Sequence, residues 1–377
     1  MKNSAAWMQN PSDDLRVRDA EMPIVSAGQL LIRVDAVAIN PLDAIIQSNG
    51  KMMYGWLTYP VVLGQDVAGV VASLGPGVTD FAVGDRVVAY ARGLEKGQDA
   101  RGGGGFQHFV AVDATLTAIL PSGMPAHDAV VLPLAFTTAA AALFEAKQLA
   151  LDYSALGSGT ERDEIVVVWG GASSVGGNAI QLARAAGYRV ITTASPKNHA
   201  RMQELGAEAV FDYRDTAAVA DIVAAVGGDT VSGVLAVATG SASACLSIAK
   251  RTGARRVAMA SPPVSFFDQP RRRGLSLARI RIVARLVGRS TALQVRSRVN
   301  GIRASFVWGS AIADSAVGGA VWGEFLPGAL ASGAFAVYPP ARTVGRGLGD
   351  VQAAIDEVRR GVSAQKLVVV MDRADAR

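Results

Sequence analysis

The sequence predicts an α/β protein in two parts. One is a β-rich first part, the other a doubly wound parallel sheet. Three observations carry this. Residues 1 to about 128 alternate short apolar runs with glycine-rich turns. From Ala126 the pattern changes to strands alternating with helices. Residues 165–198 run strand, glycine-rich turn, helix, strand, which is half of a doubly wound sheet.

The elements follow in order. Residues 30–38 (LIRVDAVAI at 31–39) alternate as a strand does, and 67–74, 86–89 and 106–112 are further strands. Gly75-Pro76-Gly77, Gly84-Asp85 and Gly102–Gly105 separate them. Residues 128–144 form one long apolar helix, or two joined near Pro133, and a Gly/Ser loop covers 153–162. Residues 165–169 (IVVVW) are a β-branched run of the kind buried on both faces. Ile180, Leu182, Ala183 and Ala186 give the next helix its apolar face, Gly187 ends it, and 189–194 is a strand. Then come strand 209–211, helix 216–226, strand 231–238, helix 241–250, strand 256–260 and a last sheet strand at 306–308. The alternation implies right-handed crossovers. A helix at 350–360 and a strand at 366–371 end the chain.

Composition narrows the class. Half of the 377 residues are hydrophobic and 18% are charged, which suits a large folded core. The single cysteine, Cys245, excludes intrachain disulfides and a multi-cysteine zinc site. The start, MKNSAAWMQNPSDD, lacks an apolar secretory segment. The longest apolar run, 129–144, is interrupted by Pro133 and Thr137-Thr138, so no membrane span is expected and the cytoplasm is the default location. The net charge of +5 is uneven: residues 271–303 hold ten arginines and no acid, so the remainder is net negative. That distribution does not suit a nucleic-acid-binding protein.

The turn Gly170-Gly171-Ala172-Ser173-Ser174-Val175-Gly176 points to a pyrophosphate. Its amides and the helix dipole favour an anion, so Gly171, Ala172, Ser173, Ser174 and Val175 are candidate contacts. Ser173 replaces the middle glycine of a strict G-x-G-x-x-G, and the alternative is a plain turn. The end of the next strand reads Ser195-Pro196-Lys197-Asn198, with Arg201 beyond. It carries no carboxylate for a ribose 2′-OH. Hydroxyl, ammonium and amide suit a 2′-phosphate, so NADPH is favoured over NADH, against the plain alternative of a helix start capped by Ser195.

The arginine-rich insert, residues 262–303, places Arg281, Arg285 and Arg289 on one helical face, with Leu275, Ile282, Val283 and Leu286 beneath. A solvated covering helix is the plain reading. A docking surface for an acidic carrier protein, or contact with a membrane surface, are the sharper ones.

The stretches LGQDVAGVVASLGPGVTDFAVGDRV (63–87), WGGASSVG (169–176), TASPKN (193–198), VFDYRD (210–215) and GVSAQKLVV (361–369) resemble the medium-chain dehydrogenases/reductases over essentially the full length. More narrowly, they resemble the zinc-independent enoyl-reductase-like branch, which includes trans-acting enoyl reductases of polyketide synthesis and has quinone oxidoreductase cousins. The resemblance implies a GroES-like β-rich catalytic domain at 1–128, completed by 311–377. A Rossmann domain at 129–310 is inserted between them, and the active site lies in the cleft. Where zinc members carry an early Cys and a G-H-E motif, this chain reads Asn40-Pro41-Leu42-Asp43 and Gly64-Gln65-Asp66. His108, His127 and His199 lie elsewhere, so no metal is expected.

The same resemblance implies roles for single residues. Thr138 would lie against the nicotinamide. Asn40 and Asp43 would face cofactor and substrate, and Tyr54 or Tyr59 would be the acid, although solvent protonation would make a side-chain acid unnecessary. Tyr213, Ser363 and Lys366 would contact the cofactor, and Ala260 would lie under the nicotinamide side. Trp56, Phe136, Phe144 and Trp308 would line a substrate pocket. Each has an ordinary structural alternative as cap, turn or core residue. Without zinc, a C=C bond conjugated to a carbonyl or thioester is the fitting hydride acceptor. The expected substrate is an enone, an enoyl thioester or a carrier-bound acyl chain. The alternatives are an NADPH:quinone oxidoreductase and a non-catalytic NADPH-binding protein. The insert precedes the last sheet strand and would block pairing across that edge, so a monomer is favoured over a dimer.

Overall fold

The computed structural model describes residues 2–267, 271 and 277–372. It divides into two compact units. The first comprises residues 1–134, 266–274 and 318–377, and the second residues 135–265 and 275–317.

The first unit is built on sheets that are antiparallel except where Ala341–Arg346 pairs in parallel with Lys366–Val370. Its larger sheet runs in the order Ala341–Arg346, Lys366–Val370, Gln29–Ala38, Asp66–Leu74, Arg86–Tyr90, Thr117–Ile119, with Phe109–Asp113 also paired to Gln29–Ala38. The C-terminal strand Lys366–Val370 thus lies beside Gln29–Ala38, Val368 opposite Ala38. A three-stranded sheet of Arg16–Ala20, Asn3–Met8 and Val61–Val62 completes the unit.

Its main helix was not expected from the sequence. Asn40-Pro41-Leu42-Asp43 opens the helix Pro41–Met53, which packs on Val351–Arg360. Proline at the first helical position has no amide to leave unpaired. Asp43, two positions on, accepts the Asn40 N–H at 2.7 Å. Arg359 ties the two helices, donating to Ala44 O and to Ser48 Oγ.

The second unit is a six-stranded parallel sheet. Its order is Ala209–Phe211, Arg189–Thr193, Ile165–Trp169, Val231–Ala236, Arg256–Met259, Arg303–Phe306. In chain order this reads 3-2-1-4-5-6, with the reversal of direction between Ile165–Trp169 and Val231–Ala236. Ile165 to Trp169 are all buried, as a two-sided sheet requires. Ile165, Val167, Val234, Cys245, Ile248, Val257 and Leu293 share one core cluster. The last strand is Arg303–Phe306, three residues earlier than its apolar end suggested. Pairing Arg256 with Arg303 and Met259 with Phe306 sets that register.

The apolar stretch 128–144 takes the second of its two expected forms, two helices, Ala126–Ala129 and Pro133–Phe144, divided ahead of Pro133. By length and composition Ala126–Phe144 passes as a membrane-spanning segment, but 78% of its apolar window is buried within the protein. In the insert, Leu277–Val299 is one helix, in which Ile282 is buried while Val283 is exposed. Val283 lies one residue, about 100° of helix turn, past Ile282 and so leaves the packed face. Leu275 is outside the described residues.

Candidate functional site

Each unit carries a polar cluster. In the second unit, Gly170 follows the first sheet strand with φ of +99°, a conformation that favours glycine. The chain then turns so closely that a Cβ on Gly176 would lie 2.2 Å from Gly170 O. A Cβ on Gly171 would lie 2.3 Å from Thr192 Oγ1. These glycines let the helix Ser174–Ala185 begin directly against the strand end. Ser173 caps it, its Oγ accepting the Gly176 N–H at 3.0 Å. Ser173 thereby serves the turn itself in the place of a third glycine. The amides of Ser174 and Val175 stand in the first helical turn, where no intrahelical acceptor exists. Open donors at a helix start beside a glycine cradle fit a pyrophosphate.

The next strand, Arg189–Thr193, leads to the second candidate group. Asn198 Nδ2 donates to Ser195 Oγ at 3.1 Å, and His199 Nε2 lies 3.0 Å from Ala194 O. Ser195 does not cap the following turn with its side chain, which disposes of its plain reading as a cap. Lys197 is exposed, and Tyr213 is exposed with the Arg214 guanidinium 4.9 Å above its ring. Arg201 is paired with Glu204. Ala260 closes its strand by donating to Ala236 O at 2.9 Å. Thr138 is partly exposed on the otherwise buried helix Pro133–Phe144, and a Cβ on Gly309 would lie 2.8 Å from its Oγ1. Trp308, just before Gly309, is partly buried. Phe136 and Phe144 are core residues, Phe144 stacked at a tilt on Tyr153 at 5.4 Å.

In the first unit, Asp66 is the centre of a buried network that sequence reasoning missed. Its Oδ2 accepts from Asn40 Nδ2 at 2.9 Å and pairs with the Lys366 ammonium. Its Oδ1 accepts the Leu134 N–H at 2.6 Å, at the start of the helix Pro133–Phe144. Lys366 also donates to Val131 O at 3.1 Å. Lys366 is thus turned inward, while Ser363 is exposed. Gln65 donates to the Tyr90 hydroxyl at 2.9 Å. Asp43 is fully buried, and burial pushes its carboxyl from 3.8 up to about 7. Asp43 Oδ1 and Gln65 Oε1 are buried acceptors without a hydrogen bond. Tyr54 is buried, and burial pushes its phenol above the ordinary tyrosine range. Trp56 is half-exposed, donates to Leu94 O and lies 5.2 Å from the Tyr54 ring.

The residues at the positions of zinc ligands in the resembled family are therefore amides, Asn40 bound to Asp66 and Gln65 to Tyr90. Among the described residues no three His, Cys, Asp or Glu side chains gather as a metal-binding group. The signal for the network lay in two lone polar residues, Asp66 after a Gly-Gln step and Lys366 opening an apolar strand. Nothing local in the sequence joins them.

Known proteins resemble this chain over most of its length. Residues 26–122 match the family model described as "Alcohol dehydrogenase GroES-like domain", and residues 174–262 the one described as "Zinc-binding dehydrogenase". The chain is 39% identical to "Dehydrogenase pigH" of Monascus ruber, covering 97% of this chain and 99% of that protein. It is 36% identical to "Trans-enoyl reductase himH" of Aspergillus japonicus, covering 99% and 98%. An alcohol dehydrogenase superfamily protein from Novosphingobium aromaticivorans superposes with a TM-score of 0.70 at 25% identity, over 98% of this chain and all of that one.

Proposed function

The chain belongs to the medium-chain dehydrogenases/reductases, a family of nicotinamide-dependent oxidoreductases, and from that premise we propose that it is an NADPH-dependent reductase of a C=C bond conjugated to a carbonyl or thioester. The observation that carries this is the closed network around Asp66. Asn40 and Lys366 are bound to Asp66, and Gln65 to the Tyr90 hydroxyl, at and around the positions where a catalytic zinc would be held, and Asn40 and Gln65 are poor zinc ligands. A carbonyl substrate here gains no Lewis acid from these residues. A conjugated double bond needs none, because its own carbonyl takes up the charge. Full-length relatives named trans-enoyl reductases support the same reading.

When bound, NADPH would supply the hydride. The amides of Ser174 and Val175 would hold its pyrophosphate, and Ser195, Lys197 and Asn198 its 2′-phosphate. Hydride arrives at the β-carbon, the π electrons move to the carbonyl oxygen as an enolate, and a proton then joins the α-carbon. Thr138 is the hydrogen-bonding group that orients the reacting pair, while the Asn40 Nδ2 is committed to Asp66. The proton comes from solvent or from Tyr54, and burial, which disfavours the phenolate that donation would leave, weighs against the side chain.

The test is the loss of reduced-nicotinamide absorbance with a crotonyl thioester, a simple 2-enone and a quinone, using NADPH and then NADH. Thioester or enone turnover with NADPH, and little with NADH, is expected. Turnover of quinone alone would replace this reading with a quinone reductase.

A further inference from the structure

The helix Leu277–Val299 has three faces, and only one is accounted for by the fold. Ile282 and Leu293 are buried and Leu286 partly so; Leu293 belongs to the core of the second unit. One residue earlier on each turn stand Arg281 and Arg285, and Arg289 and Arg296 continue that face, all exposed or nearly so. A third set comprises Leu277, Ile280, Val283, Val287, Val295 and Val299, at helical spacings of three to four or twice that. These six aliphatic side chains are 40% to 80% exposed. An apolar ridge of this kind, interrupted at Thr291, is unusual on a protein surface that meets only water.

The charge around the ridge has one sign. The helix contains six arginines and no acid. Among the described residues Arg281, Arg285, Arg289, Arg296 and Arg298 pair with no carboxylate; Arg289 donates to Pro263 O and Arg296 to Ser243 Oγ. Exposed Arg255 and Arg303 lie near the helix's end, Arg255 beside Gly301. A second copy laid ridge to ridge would face arginine with arginine, which is unfavourable. The ridge is convex and wholly aliphatic, lacking the Trp and Tyr anchors that dominate protein interfaces. Aliphatic side chains beside arginines, on a helix of 23 residues, match a bilayer surface: the chains enter the acyl boundary and the guanidinium groups meet phosphates.

We propose that the helix Leu277–Val299 is a peripheral docking surface for anionic lipid, with Ile280, Val283 and Val287 inserting and Arg281, Arg285 and Arg289 binding the phosphates. It rests on the helix's own faces and is independent of the reaction.

The test is co-sedimentation of the full chain with phosphatidylcholine vesicles containing about a third phosphatidylserine, and with pure phosphatidylcholine vesicles. Binding only to the anionic vesicles, weakened by salt, is expected. Val283→Glu/Val287→Glu and Arg281→Glu/Arg285→Glu should each weaken it about tenfold or more. Unchanged unfolding temperature and NADPH affinity would show these variants to be folded. No sedimentation with anionic vesicles at low salt overturns the proposal, as does binding indifferent to both pairs of substitutions. A dimer by analytical ultracentrifugation that Val283→Glu dissociates would assign the ridge to a second copy. Loss of turnover on a carrier-bound thioester alone, with vesicle binding absent, would assign it to an acidic carrier protein.

Discussion

Around Asp66 in the first unit, the carboxylate, the Lys366 ammonium and the Asn40 amide are spent on one another in a buried space. At the glycine turn of the second unit, Ser173 uses its hydroxyl to cap the helix, and the amides of Ser174 and Val175 are left facing outward. Both clusters are assembled from small polar residues beside glycines. The first has spent its charged groups on one another, with Asp43 Oδ1 and Gln65 Oε1 left over, and acts as structure. The second has kept some and acts as a receptor. Polar residue types mark both places equally, and only the pairing tells them apart.

If that contrast is right, changes in the network should register as stability, and changes in the turn as cofactor affinity. The largest effect is expected from Lys366→Met, which leaves Asp66 buried without its cation. Chemical denaturation should show a loss of about 3–5 kcal/mol, and Asp66→Leu/Lys366→Met should recover part of it. A variant that loses NADPH affinity with stability intact would instead make Lys366 a cofactor ligand.

Asp43 should give a pH signature. Its folded carboxyl titrates near 7 against an ordinary value of 3.8. The folded state therefore holds the proton more tightly than the unfolded chain. The associated stability is complete below pH 3.8 and is lost as pH rises to about 7. Relative to Asp43→Asn, wild type should lose on the order of 3 kcal/mol across that window. Parallel stability curves for the two proteins would place the Asp43 carboxyl in water.

Next in size is Gly176→Ala. Its Cβ would displace Gly170 O and move the turn away from the helix start. NADPH affinity should fall about 10- to 100-fold, corresponding to ~1–3 kcal/mol of overpacking. Isothermal titration measures it. The smallest effect is expected from Lys197→Glu, which sets a carboxylate at the proposed 2′-phosphate site. The preference for NADPH over NADH should shrink about tenfold, roughly 1–2 kcal/mol. An unaltered ratio of kcat/KM values would move the 2′-phosphate elsewhere.

The sequence revealed what repeats locally. The buried run at 165–169 and the glycine turn after it marked the doubly wound sheet, because this central strand is apolar on both faces. The helix Pro41–Met53 had a readable signal in Asn40, Pro41 and Asp43, but the same residues also spell a turn. The Asp66 network had none. Its members come from positions 40, 66, 134 and 366, and only the pairing of Lys366–Val370 with Gln29–Ala38 brings Lys366 within reach of Asp66. Val283 was misplaced for a related reason. An aliphatic residue beside buried ones is expected beneath, and nothing in composition says that a helix will show a second apolar face to the outside.

The C-terminal strand also sets an order of assembly during synthesis. All six strands of the second unit have left the ribosome once Phe306 has been made and extruded, so that sheet can close early. The larger sheet of the first unit must wait for Lys366–Val370, although most of its strands were made long before. Until then Asp66 has no cation, and Ala36–Ala38, the part of the Gln29–Ala38 edge which Phe109–Asp113 does not cover, is bare. The unit made first is thus the one completed last.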